Sequence, residues 1–159
     1  MSFRLRPMRK GEAEAVAAMV RDLARDTGAA TVPKLTAEKL TAARELIEVL
    51  VAEENGRLLG ACLGLMTFST WRGAPGLYVV DLFVLPEARR RSVGEALLRA
   101  AARRFAKRGA EFIKLEVDET NTGAERFYAR LGFTKKTEDR LHVLEQDSLD
   151  TFISMGGET

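Results

Sequence analysis

The chain has 159 residues, with 25 Lys+Arg against 23 Asp+Glu and a net charge of +2 when His142 is neutral. Hydrophobic residues make up 46% and charged residues 30%, a folded globular composition that excludes disorder. A single cysteine, Cys62, and a single histidine exclude an intrachain disulfide and argue against a zinc site, and no apolar run approaches the ~18 residues of a membrane span. The expectation is one domain over residues 1–159, in the cytoplasm, without a metal and away from membranes.

Residues 3–7 alternate like a first strand that stops at Pro7. From Gly11 to about Arg25, Val16, Met19, Val20 and Leu23 fall at helical spacing. Thr36 is placed to cap a second short helix with Leu40, Ala43 and Ile47 as its stripe. Residues 47–52 are β-prone, and Asn55-Gly56 joins them as a hairpin to a long strand from Arg57 to about Ser69. Residues 71–76 read as a loop and 77–84 as the most β-prone segment, ended by Pro86. Residues 92–108 read as a helix closed by Gly109. A strand over 112–117 follows, then a helix capped by Asn121 and stopped by Gly132. Residues 133–136 and 141–145 are predicted as two last strands, and 148–155 as a closing helix. The order β-α-α-β-β-β-α-β-α-β-β-α describes an α+β fold on a mixed, mostly antiparallel sheet with one βαβ unit.

The net charge hides an asymmetry. Between Glu87 and Arg108 eight basic residues face two acids, giving +6, so the remaining 17 basic and 21 acidic residues sum to −4. A basic segment on an acidic body points to an anionic partner. Arg89, Arg90 and Arg91 precede the small-residue run Ser92-Val93-Gly94 at the mouth of a helix, whose unpaired N–H groups and positive dipole end favour an anion such as pyrophosphate. The Gly-Lys-Ser/Thr end of a Walker loop and the Gly-x-Gly-x-x-Gly dinucleotide fingerprint are both absent. Arg99, Arg103, Arg104, Lys107 and Arg108 lie opposite the apolar stripe and read as a solvated face.

Val84-x-Pro-Glu-x-Arg-x-x-Ser-x-Gly resembles the acyl-CoA signature of the GNAT N-acetyltransferases. About thirty residues on, Asn121-x-x-Ala124-x-x-Phe127-Tyr128-x-x-Leu131-Gly132-Phe133 is similar to that family's second signature, in the same order and spacing. The strand over 77–84 and the tail past Phe133 resemble the diamine (spermidine/spermine) acetyltransferase branch. The resemblance implies a GNAT fold and an acetyl-CoA-dependent N-acetyltransferase acting on a primary amine of a small molecule or peptide. It implies direct attack within a ternary complex. It further implies that Leu82, Phe83 and Val84 pair through their backbone with the pantetheine arm. Arg89, Arg90, Arg91, Ser92, Val93, Gly94 and Glu95 would hold the pyrophosphate, and Asn121 and Ala124 would touch the cofactor arm. Tyr128 would be the general acid, since a phenol of pKa about 10 can protonate a thiolate of similar basicity. A homodimer is a family expectation, and no nucleic acid is expected as a partner.

Three departures matter. Ser92 and Arg90 stand where the family has glycines, and Val80 stands where the diamine branch has Glu. Asp81 is expected on the opposite face of its strand from Val80, which leaves Glu116, Asp118 or a water chain as candidate bases. The other readings of the chain are a GNAT-fold acyl-CoA-binding or regulatory module without turnover, and a nucleic-acid-binding domain; stacking aromatics are missing among the arginines. Cys62 and His142 read as ordinary strand residues. Acceptor selectivity is expected in residues 27–36, the second helix and residues 71–76.

Overall fold

Asn55 and Gly56 adopt φ of 52° and 81° in the computed structural model, the left-handed pair that a tight two-residue hairpin needs. They join β2 (Glu48–Glu54) to β3 (Arg57–Ser69), and the buried Glu53 braces the turn by accepting the Gly56 N–H at 2.8 Å. The structure describes residues 2–155, which divide into two compact units after Glu116.

The first unit is a five-stranded sheet in the order β1-β2-β3-β4-β5, with β1 Arg4–Pro7, β4 Ala74–Val84 and β5 Ile113–Lys114. The first four strands are antiparallel neighbours, and β5 runs parallel to β4 after the crossover helix α3 (Val93–Ala106). The expected mixed sheet with one βαβ unit is therefore present. Helices α1 (Ala13–Asp26) and α2 (Ala37–Ala42) cover one face, and Thr36 caps α2 by accepting the Lys39 N–H at 3.2 Å. Val16, Met19 and Leu40 pack there against Val49, Val51, Ala61, Leu63 and Phe83. On the other face Leu97 of α3 reaches Gly60, where a Cβ would stand 2.6 Å from the Phe83 carbonyl oxygen and 3.3 Å from Leu97. The chain uses glycine there because nothing larger fits between β3, β4 and α3.

The hairpin between β3 and β4 is longer than expected. Residues 74–76 belong to β4, and the turn at 70–73 leaves Trp71 99% exposed. In contrast, the strand expected over 112–117 shrinks to Ile113–Lys114, because only Leu77 and Tyr78 of β4 pair with it.

The second unit carries α4 (Thr122–Arg130) and α5 (Gln146–Met155). Asn121 caps α4 as expected, accepting the Ala124 N–H at 3.1 Å. The strands predicted over 133–136 and 141–145 are not formed. Residues 134–145 are all exposed, and no strand among the described residues pairs with them. A strand persists only with a ladder partner, and the charged run Glu138-Asp139-Arg140 offers no tight turn to fold one segment onto the other. His142 lies in this stretch, exposed, rather than in a strand.

Candidate functional site

In the first unit, β4 and β5 part. Leu77 donates its N–H to the Phe112 carbonyl at 2.8 Å, and the pairing ends at Tyr78. From Val79 to Val84, the only strand among the described residues that pairs with β4 is β3. Alternate N–H and C=O groups of Leu82, Phe83 and Val84 are thus left along an open strand edge, the form in which an extended ligand is bound by main-chain pairing.

That edge leads into the basic loop. A 3-10 turn over Pro86–Ala88 is followed by Arg90 at φ 64° and Ser92 at φ 60°, both left-handed. Left-handed residues in a tight loop turn N–H groups into a concavity that suits an anion. The Ser92 side chain makes no capping hydrogen bond, so the first-turn N–H groups of α3 are left without a side-chain cap. Val93 is 1% exposed, which leaves only its backbone for a ligand. Glu95 is held by Arg99 at 2.7 Å.

The three arginines differ. Arg91 is committed within the protein, binding both Glu54 oxygens at 2.7 and 3.2 Å and the Ser2 hydroxyl at 2.7 Å. These bonds hold the Glu54 carboxyl down to about 2. Arg89 donates from Nε to the Val84 carbonyl at 3.3 Å, tying loop to strand edge. Arg90 pairs with no acid among the described residues. Arg57 and Glu87 pair at the base of the loop. Outside the loop, Arg104 and Arg108 both pair with Glu48, so part of the helix face expected to be solvated is engaged with β2.

Asn121, Ala124 and Tyr128 come together on α4 of the second unit. Asn121 spends its Oδ1 on the cap, and the Tyr128 ring packs edge-on against Phe127 and Phe133 at 5.0 and 5.3 Å.

Strand β4 is not regular. Leu63 pairs with Asp81 and Gly64 with Val79, so Val80 is an extra, bulged residue on β4. Leu63 and Leu65 share a face of β3, and their partners Asp81 and Tyr78 share it too. Asp81 therefore shares with Phe83 the side covered by α1. The Tyr78 hydroxyl donates to Glu116 at 2.9 Å, a pair that sequence spacing did not reveal because it depends on where β5 stops. Among the described residues no helix is long and apolar enough to cross a membrane, and no group of three His, Cys, Asp or Glu is gathered to hold a metal.

A model described as the acetyltransferase (GNAT) family matches residues 16–133. The chain belongs to this family of acyltransferases, and its mixed five-stranded sheet flanked by helices is the GNAT fold. It is 34% identical over 90 residues to the uncharacterized N-acetyltransferase YhfO of Bacillus subtilis, a match that covers 56% of this chain and 60% of that one. It is 26% identical over 149 residues to the thialysine N-epsilon-acetyltransferase of Mus musculus, covering 86% and 87%. An integron cassette protein from the mobile metagenome of V. cholerae shares the fold at a TM-score of 0.79 and 19% identity, covering 96% of this chain and 98% of that one.

Proposed function

We propose that the protein is an N-acetyltransferase that uses acetyl-CoA as co-substrate and acetylates a primary amine of a small molecule or peptide in a ternary complex. The observation that carries this reading is the open edge of β4 running straight into an uncapped helix mouth. The backbone of Leu82, Phe83 and Val84 pairs with the pantetheine arm. The N–H groups of residues 89–95 hold the pyrophosphate, with Arg89 and Arg90 adding charge. The residues fit a diphosphate: a concave loop, a helix dipole and donors with no acid beside Arg90. Asn121 and Ala124 touch the arm, and Tyr128 supplies the proton that the leaving thiolate takes. Bound acetyl-CoA supplies the activated acyl group. The thialysine-acetyltransferase relative supports a small cationic amine as acceptor, the chemistry of the diamine branch. The reading assigns the arginines to CoA and not to nucleic acid, and places the reaction in the cytoplasm. A homodimer belongs to it as well.

The test is release of free CoA thiol across thialysine, spermidine, sisomicin and a peptide N-terminus. Release with one of these, strongly reduced in Tyr128→Phe near neutral pH, is expected. Tight acetyl-CoA binding with no release identifies a non-catalytic acyl-CoA module, and no binding overturns the reading. Light scattering at micromolar concentration reads the dimer directly; a monomeric mass refutes it.

A further inference from the structure

We propose that two copies of this chain join through the overhanging part of β3, with Trp71 of each copy seated in a cavity of the other. The proposal rests on the homodimer of the proposed function, gives it an interface, and is independent of acetyl transfer. Every residue it uses lies in the first unit.

The overhang follows from the strand register. β2 begins at Glu48, opposite Gly64, whereas β4 accompanies β3 as far as the pair Ser69–Ala74. Residues 65–69 therefore have a strand partner on the β4 side and none on the other side among the described residues. An unpaired edge invites another strand, and proteins blunt such edges with short length, charge or proline. The outer edge of this sheet does so: β1 has four residues, and Arg4, Arg6 and Pro7 are three of them. The overhang Leu65-Met66-Thr67-Phe68-Ser69 has no charge and no proline, and Phe68 is 63% exposed.

A knob and a hole stand at its two ends. At the outer end, the fully exposed Trp71 touches almost nothing of its own chain. Its neighbour Arg72 is fastened back: the backbone N–H donates to the Ser69 hydroxyl at 3.1 Å, and the guanidinium lies 4.5 Å from the centre of the Phe112 ring. The tip is thus held while the indole is left in water. At the inner end, where β2 starts, there is a cavity of about 370 Å3. Its lining combines the apolar Leu40, Met66 and Phe105 with the charged Arg44, Glu45 and Arg108. Arg44 and Glu45 are exposed and meet only at 3.8 Å. An indole suits this lining, with an apolar body, a face that attracts guanidinium groups and one N–H to donate to a carboxylate.

A two-fold axis brings knob and hole together. Antiparallel pairing of residues 65–69 with the same segment of a second copy sets Thr67 opposite itself, Met66 opposite Phe68 and Leu65 opposite Ser69. No like charges oppose each other across that ladder. The pairing carries the outer end of each copy to the inner end of the other, so each Trp71 arrives beside Gly64, at the cavity. A two-fold interface requires one surface to hold both complementary features, and this surface holds them. A different partner protein would have to fill the cavity with its own side chain and cover Trp71 as well.

Trp71 is the chain's single tryptophan, so its fluorescence reads the interface directly. The experiment follows sedimentation and emission together over a dilution series of the full chain. The dimer is expected to emit to the blue of the monomer and to resist acrylamide quenching, and both differences vanish as the mass halves. Trp71→Ala is expected to raise the dimer dissociation constant roughly thirtyfold or more, the loss of a buried aromatic anchor. Phe68→Lys is expected to weaken the dimer similarly by charging the edge. Both side chains are exposed in the single chain, so circular dichroism of the variants should match the wild type. A dimer with water-like Trp71 emission, or variants that dissociate like the wild type, overturns this interface and leaves the homodimer standing. A monomeric wild type overturns both. A blue shift produced by phosphatidylcholine vesicles and not by concentration assigns the hairpin tip to a lipid surface and overturns the pairing.

Discussion

The guanidinium of Arg91 grips both oxygens of Glu54, 37 positions earlier in the chain, and the Ser2 hydroxyl with them. A residue expected to bind phosphate is therefore a strut that fixes the loop to the end of β2. The carboxyl of Glu54 is depressed to about 2, chiefly by the hydrogen bond from Arg91 and then by that from Ser2. A depressed folded-state pKa adds stability that is complete above the unfolded value of about 4.3 and is lost as pH falls through the folded one. Glu54→Gln is expected to lower the melting temperature at pH 7, and the difference from wild type to close between pH 4 and pH 2. Thermal melts along that range check it.

Asp81 should behave with the opposite sign. Its folded-state pKa is raised by burial, so its contribution is complete below about 3.9 and is lost as pH rises through the folded value. Asp81→Asn is expected to melt higher than wild type at pH 7 and at the same temperature near pH 3. Calorimetry of the two proteins at both pH values decides this independently of any activity.

Arg90 and Ser92 carry side chains at φ of 64° and 60°. A left-handed residue gains by losing its Cβ, net of the added chain entropy, by about 0.5–1 kcal/mol. Ser92→Gly is expected to stabilise the fold by that amount and keep CoA binding. Arg90→Gly is expected to stabilise it similarly while weakening CoA more than a pantetheine analogue without phosphates. Urea titrations and calorimetric binding of the two ligands separate these effects, and equal weakening of both refutes the phosphate role of Arg90.

Gly60→Ala places a Cβ against backbone, 2.6 Å from the Phe83 oxygen. Overpacking of this kind costs about 1–3 kcal/mol. Because the displaced strand is β4, the expected result is a lower urea midpoint together with weaker CoA binding. A Gly60→Ala protein with wild-type values for both would show that β3, β4 and α3 give way there.

Asn121 caps α4, and the proposal also places it against the cofactor arm. Asn121→Ala is expected to cost about 1 kcal/mol of stability and some CoA affinity. Asn121→Ser retains a capping oxygen, and should lose affinity alone. Circular dichroism melts and CoA titration read the two losses separately.

The parts of this molecule that were legible in the sequence are those decided within a few residues. The Asn55-Gly56 turn, the Thr36 and Asn121 caps and the stripe of α3 depend on local backbone chemistry, and all are present. The bulge at Val80 was not legible, because register is a property of two strands. The commitment of Arg91 was hidden because its partner is on another strand. The segments 133–136 and 141–145 have strand-like composition, but propensity does not supply the partner that a strand needs.

Cys62 is the chain's single thiol, 1% exposed, and burial, with a lesser push from Asp81, raises it to about 12. At such a pKa the native protein holds almost no thiolate, and the thiolate is the form that reacts. The folded protein is in effect cysteine-free towards maleimides and disulfide reagents. A cysteine installed at the fully exposed Trp71 would accept a spin label or fluorophore without background, reporting on the tip of the β3–β4 hairpin alone.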